Sequence, residues 1–98
     1  MLVSLNEIQN MMKTLYFHRD KKRGRTGTYN WLMEEVDELG EALRGDDPKV
    51  LESEFADVLA WLASLANIQN IDLETAFLAK YDNFCPKCKS SPCNCAPR

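Results

Sequence analysis

The stretch PKVLESEFADVLAWLASLANIQ, residues Pro48 to Gln69, decides the fold. Asp47 and Pro48 set an N-cap before a proline at the first helical position, which predicts a helix opening there and continuing to about Gln69. Its apolar residues are Val50, Leu51, Phe55, Val58, Leu59, Trp61, Leu62, Leu65 and Ile68, and they do not keep to one stripe. A helix that is apolar on several sides has to be central in its assembly. The chain is too short to cover it fully, so the expected architecture is an all-α four-helix bundle completed by another copy, a dimer or tetramer.

Working outward, Thr28 is the expected N-cap of a helix running to Arg44, with Gly45 as the stop. Ser4 and Glu7 fit a capping box, and Leu5, Ile8, Met12 and Leu15 then recur at helical spacing, which predicts a first helix to about Phe17. The basic run from His18 to Gly27 (HRDKKRGRTG) is expected to be a loop. Asp72 is the expected cap of a fourth helix from Leu73 to about Phe84. No convincing period-two run is found and β-branched residues are sparse, so no strand is expected. The organisation is a helical domain over residues 1–84 followed by a cysteine-rich tail over residues 85–98.

The chain has 98 residues, of which 45% are hydrophobic and 28% charged. That is one domain of ordinary globular composition, marginal on its own without a metal staple or a partner subunit. The net charge of −3 gives no general attraction to nucleic acid or an anionic membrane. No segment approaches the roughly 18 apolar residues of a membrane span and no secretory signal pattern opens the chain, so a cytoplasmic location is expected. The charge is nevertheless segregated: residues 1–33 carry +4, residues 34–57 carry −8, and the remainder carries +1. An acidic centre flanked by basic segments suits a site that holds divalent cations and a polyanion together, although solvated helix faces would look the same.

Helical geometry separates these readings. At about 100° per residue, Glu35 falls beside Leu39 and Leu32, directly on the border of the apolar stripe, and Glu38 lies just beyond Trp31. Glu34, Asp37 and Glu41 fall on the outer face. On the next helix Glu54 and Asp57 are embedded among Val50, Trp61, Leu65 and Ile68. Carboxylates beside a core are costly unless paired or bound to a cation. Hard oxygen donors with no His or Cys nearby favour Mg²⁺ or Mn²⁺ over zinc. A buried ion-pair network with Lys80, Arg44 or a residue of the basic run is the alternative, but the inward acids outnumber the bases within reach.

Glu34-Glu35-x-x-Glu38, followed by Glu54-x-x-Asp57, resembles the E-E-x-x-E and E-x-x-D signature of MazG-like nucleoside triphosphate pyrophosphohydrolases. The neighbouring segments WLMEEVDEL (31–39), FADVLAWL (55–62) and Ile71 to Asn83 resemble that family's helices in order, so the likeness covers roughly Leu5 to Phe84. The resemblance implies an all-α oligomeric MazG-like fold and hydrolysis of a nucleoside triphosphate to the monophosphate and pyrophosphate, as nucleotide-pool housecleaning. It implies Mg²⁺ held by Glu35, Glu38, Glu54 and Asp57, the four acids to which the helical wheels also point. It further implies catalytic roles for Glu34 and Glu38 toward the attacking water, and phosphate contacts from Lys80 and Asn83. The family often continues with Arg after that Asn, whereas Phe84 and Cys85 follow here.

Other residues carry weaker signals. Arg23 and Arg25 of the basic run are candidate triphosphate contacts, and Trp61 and Trp31 share the arcs of the inward acids, where either could stack a base or simply pack. The single histidine, His18, has no catalytic partner nearby in sequence. The tail places Cys85, Cys88, Cys93 and Cys95 as C-x-x-C, four residues, then C-x-C, the soft donor set of a closed structural zinc site. Iron–sulfur, copper(I) or unliganded thiols are the alternatives. A zinc-containing nucleic-acid- or protein-binding adaptor, or a silent nucleotide or metal sensor, competes with the hydrolase reading; an adaptor has no need of four inward carboxylates.

Overall fold

The computed structural model describes residues 2–98. Three α-helices follow one another: α1 (Leu5–Ala42), α2 (Pro48–Ile68) and α3 (Leu73–Lys80). There is no strand among the described residues, so the chain is all-α as expected. Three of the four expected N-caps form. The Ser4 hydroxyl accepts from the Glu7 amide while the Glu7 side chain takes the Ser4 amide; Asp47 accepts from the amides of Lys49 and Val50; Asp72 accepts from that of Thr75. Each satisfies a first-turn amide that the helix leaves unpaired.

The expected loop over residues 18–27 shrinks to a break at Gly24, with helix on both sides of it. The first two helices of the sequence reading are two arms of α1, joined through Gly24, the only residue inside it with non-helical backbone (φ 82°, ψ 176°). A straight 38-residue helix would span about 57 Å, more than the molecule's longest extent of 42 Å. Gly24 supplies the bend that lets both arms lie against α2. Thr28 is not a cap; it is completely buried within the second arm, and its hydroxyl accepts from Arg23 at 3.4 Å. The run stays helical beside the bend because Arg23 and Asp20, one turn apart, form an ion pair at 2.8 Å. Asp20 is itself only 2% exposed.

The connection over residues 43–47 turns the chain back, so α2 runs antiparallel to the second arm. Its buried residues are small, Ala63, Ser64 and Ala66, which permits close approach of the α1 backbone. The first arm is fixed to the α2–α3 turn by Gln9, whose amide group donates to Asn67 Oδ1 at 3.0 Å and to the Ile71 carbonyl at 2.7 Å. Its side-chain Oε1 accepts from the Leu73 amide at 2.9 Å. Buried polar groups are tolerated when so completely paired. The fourth helix ends four residues before the expected Phe84, because Tyr81 is extended and Asn83 adopts a positive φ of 64°. The all-round apolar character of α2 is not covered within one chain: Phe55, Leu59 and Leu62 remain exposed, as do Phe77 and Leu78 on α3.

The bend gives a direct test. A Cβ on Gly24 meets no neighbouring atom, so Gly24→Ala reports backbone strain alone and should lower unfolding stability by about 1–3 kcal/mol. Gly40→Ala, equally free of contacts but within the helical second arm, should raise it by about 0.4–1 kcal/mol. Urea denaturation of both variants measures the contrast.

Candidate metal centre

Antiparallel packing of α2 on the second arm of α1 sets the two acidic motifs against each other. One carboxylate oxygen from each of Glu35, Glu38 and Glu54 lies within 4.8 Å of the other two. Glu35 and Glu54 are half-buried and Glu38 is exposed. The Oε2 atoms of Glu35 and Glu54 are buried and have no hydrogen-bond partner. Withdrawal from water, then the hydrogen bond to and charge of Glu38, then the charges of Asp57 and Glu54, push the Glu35 carboxyl up to about 7. Glu54 is raised as well, by burial first and by Glu38 and Asp57 next. A divalent cation fits this donor set: it would take the orphaned oxygens, and its charge would offset the burial and the mutual repulsion that raise both groups.

Asp57 is exposed and stands outside the three-oxygen group, near enough for its charge to act on Glu35 and Glu54. Glu34 is exposed and belongs to no such group. Beside the acids opens a cavity of about 420 Å³ lined by Glu38, Glu41, Asp46, Asp47, Val50 and Glu54 among others.

The two tryptophans meet one helical turn from the acids, Trp31 four residues before Glu35 and Trp61 four after Asp57. Their rings stack at 5.8 Å with an interplanar angle of 17°. The Arg23 guanidinium lies over Trp61, 4.8 Å from the ring centroid, while held by Asp20. Arg25 points elsewhere, toward Gln69 Oε1 at 3.5 Å. Lys80 and Asn83 line a groove of about 850 Å³ between the end of α3 and the cysteine tail, and neither lines the acidic cavity.

The sequence reading passed over Asp20. Its signals were a lone acid within a basic run and an arginine three residues later, the spacing of a helical ion pair.

In the tail, the four Sγ atoms of Cys85, Cys88, Cys93 and Cys95 all lie within 4.8 Å of one another. Cys85 and Cys95 are 3.7 Å apart and Cys88 and Cys93 4.0 Å, so the thiols are free and not bridged. The Asn94 amide donates to Cys88 Sγ at 3.2 Å and the Cys95 amide to Cys93 Sγ at 3.3 Å. Amide donation from Asn94 and Ser90 brings Cys88 down to about 6. Hydrogen bonding with Cys93, Cys88 and Cys85 pushes Cys95 up to about 11. The cluster is a set of convergent soft donors that could hold one metal ion.

The raised Glu35 carboxyl fixes the sign of a pH effect. Between its ordinary value and about 7 the folded chain holds a proton that the unfolded chain has released. The stability it contributes is complete below the ordinary carboxyl range and is lost as pH rises through about 7. Metal-free protein should therefore melt at lower temperature at pH 8 than at pH 6, and Glu35→Gln should flatten that slope, as read by thermal denaturation in chelator.

Comparison with curated proteins gives no match. The family model for the MazG nucleotide pyrophosphohydrolase domain matches residues 23–89. The matched stretch starts at the arginine that covers Trp61, contains the acids of both motifs from Glu34 to Asp57, and ends within the cysteine tail. It spans well over half of the sequence, and on that match the chain belongs to the MazG nucleotide pyrophosphohydrolase domain family.

Proposed function

We propose that the chain is a Mg²⁺-dependent nucleoside triphosphate pyrophosphohydrolase that converts a (d)NTP and water to the (d)NMP and pyrophosphate, in nucleotide-pool housecleaning. The observation that carries the reading is the convergence of Glu35, Glu38 and Glu54, two of them with buried unpartnered oxygens, inside the MazG match. In this reading Glu35, Glu38, Glu54 and Asp57 hold the ions. Bound there, Mg²⁺ supplies neutralisation of the triphosphate oxygens and polarisation of a water.

The chain's own groups do the rest. Water attacks the α-phosphorus, the bond from that phosphorus to the bridging oxygen breaks, and pyrophosphate leaves. Glu38, the exposed member of the carboxylate group, and Glu34, beside Glu35 in sequence, orient that water and take its proton. Arg23, tethered by Asp20 over Trp61, contacts the triphosphate in this reading. Lys80, Asn83 and Arg25 reach the triphosphate only with some rearrangement, or from a second subunit. The exposed apolar residues Phe55, Leu59, Leu62, Phe77 and Leu78 support a homo-oligomer, dimer or tetramer, in which they are covered.

The cysteine cluster is assigned to structural Zn²⁺. A tetrahedral site with Zn–S bonds of about 2.3 Å has S···S edges of about 3.8 Å. The separations of 3.7 Å and 4.0 Å support that assignment. The described helices include none long and apolar enough to cross a membrane.

Incubating the purified protein with Mg²⁺ and a panel of NTPs and dNTPs should yield monophosphate and pyrophosphate, and Glu38→Ala or Asp57→Ala should cut the rate at least a hundredfold. Orthophosphate with diphosphate would contradict the assigned bond. Elemental analysis should find one zinc per chain, lost when Cys88 and Cys93 are replaced by Ser; an equimolar iron signal would refute zinc.

A further inference from the structure

Of the four glycines, Gly27 alone has its side-chain space taken by another side chain: a Cβ built there would lie 2.8 Å from Arg23 Cγ and 3.6 Å from Arg23 Cδ. We propose that Gly27 and Asp20 are positioning residues that seat Arg23 from two ends, fixing its guanidinium over Trp61 for contact with a substrate phosphate. The inference rests on the nucleotide-hydrolase reading for the identity of the ligand.

Gly27 supplies space and not a special conformation. It lies in the helical second arm and, unlike Gly24, has no positive φ. Glycine is less stable than alanine in a helix interior, so a destabilising residue stands where the backbone does not require one. Non-bonded carbons settle at about 3.5–4.0 Å, and Cγ is only the second carbon of the arginine side chain. An alanine methyl at position 27 therefore moves the whole Arg23 side chain to another rotamer; bending its tip gives no relief.

Asp20 fixes the other end. It is 2% exposed, and its Oδ1 accepts from Arg23 Nη1 at 2.8 Å. A buried carboxylate needs its partner, so it holds the guanidinium firmly. Thr28, fully buried, accepts from the same Nη1 at 3.4 Å. Among the described residues Nη1 makes both of these bonds, which leaves Nε and Nη2 for a ligand. With Asp20 and Trp61, Arg23 lines a cavity of about 240 Å³ between the first arm of α1 and α2, and its side chain is 26% exposed.

The surroundings explain why such a seat is useful. The acidic cavity is lined by five carboxylates and no base, so a phosphate chain bound there has to find its cationic side chain elsewhere. Trp61 follows Asp57 by four residues, which sets the held guanidinium about one helical turn from the acidic motifs. A loose arginine at that level has competing carboxylates, because Glu35 and Glu54 each carry an unpartnered oxygen. Seating it keeps those oxygens for a cation and the guanidinium for a phosphate, whose geometry its planar fork matches.

The test is a double-mutant cycle read by steady-state kinetics with Mg²⁺ and the best-cleaved triphosphate, and by binding of its non-cleavable α,β-methylene analogue. Gly27→Ala and Arg23→Ala should each raise KM about tenfold and change kcat by less than about threefold. On the Arg23→Ala background no stem remains to be displaced, so Gly27→Ala should add no further rise in KM and should increase Tm. Asp20→Asn keeps an acceptor for Nη1 without its charge and should raise KM severalfold, again only while Arg23 is present. It carries the cycle if Gly27→Ala fails to fold. An unchanged KM in folded Gly27→Ala, or an equal rise with and without Arg23, would overturn the proposal. If the wild type cleaves no triphosphate, the analogue gives the same cycle: weaker binding that depends on Arg23 keeps the positioning role and removes the hydrolase reading, while binding indifferent to all three residues removes the positioning role.

Discussion

Three carboxylates held within 4.8 Å of one another, two of them with oxygens withdrawn from water, cannot all keep their charge unaided. The rest of the structure is arranged around that repulsion. Without a cation, Glu35 relieves it by holding its proton to about pH 7. With one, the same arrangement would serve as a cage whose electrostatic cost was met when the helices packed. Charge that is unfavourable for the free chain would in that case become affinity for a divalent ion.

The scaffold that holds the acids together is spare. Small residues of α2 allow α1 to approach closely, and the short 43–47 connection sets Glu38 opposite Glu54. Gly24 lets the first arm fold back, and Gln9 ties that arm to the α2–α3 turn through paired buried groups. The bend also delivers Arg23 to Trp61 and Asp20 to the cavity beside it. One backbone irregularity thus links the fold to the chemistry a helical turn away from the acids.

Much of this was legible in the sequence. Ser4, Asp47, Pro48 and Asp72 announce helix starts by local hydrogen bonding that needs no tertiary partner, and all three caps form. The wheel positions of Glu35 and Glu54 identify them as acids on the wrong face, because helical period alone fixes which residues share a face. The basic run was misread because polarity and two glycines suggest a loop, whereas its helix depends on an ion pair and on the burial of Asp20 and Thr28 against α2. Those are tertiary effects that local composition does not encode. The end of α3 was placed too late for a related reason: Phe84 extends the apolar pattern, but the backbone has already left the helix at Tyr81.

The central claim is that Glu35, Glu38 and Glu54 form one divalent-cation site whose protons are displaced by the ion. Calorimetric titration with Mn²⁺ near pH 6.5, in two buffers of different ionisation enthalpy, tests it most directly. The account predicts saturable binding with release of a substantial fraction of a proton per ion, and loss of both in Glu54→Gln. Binding without proton release, or binding unchanged in Glu54→Gln, would contradict it.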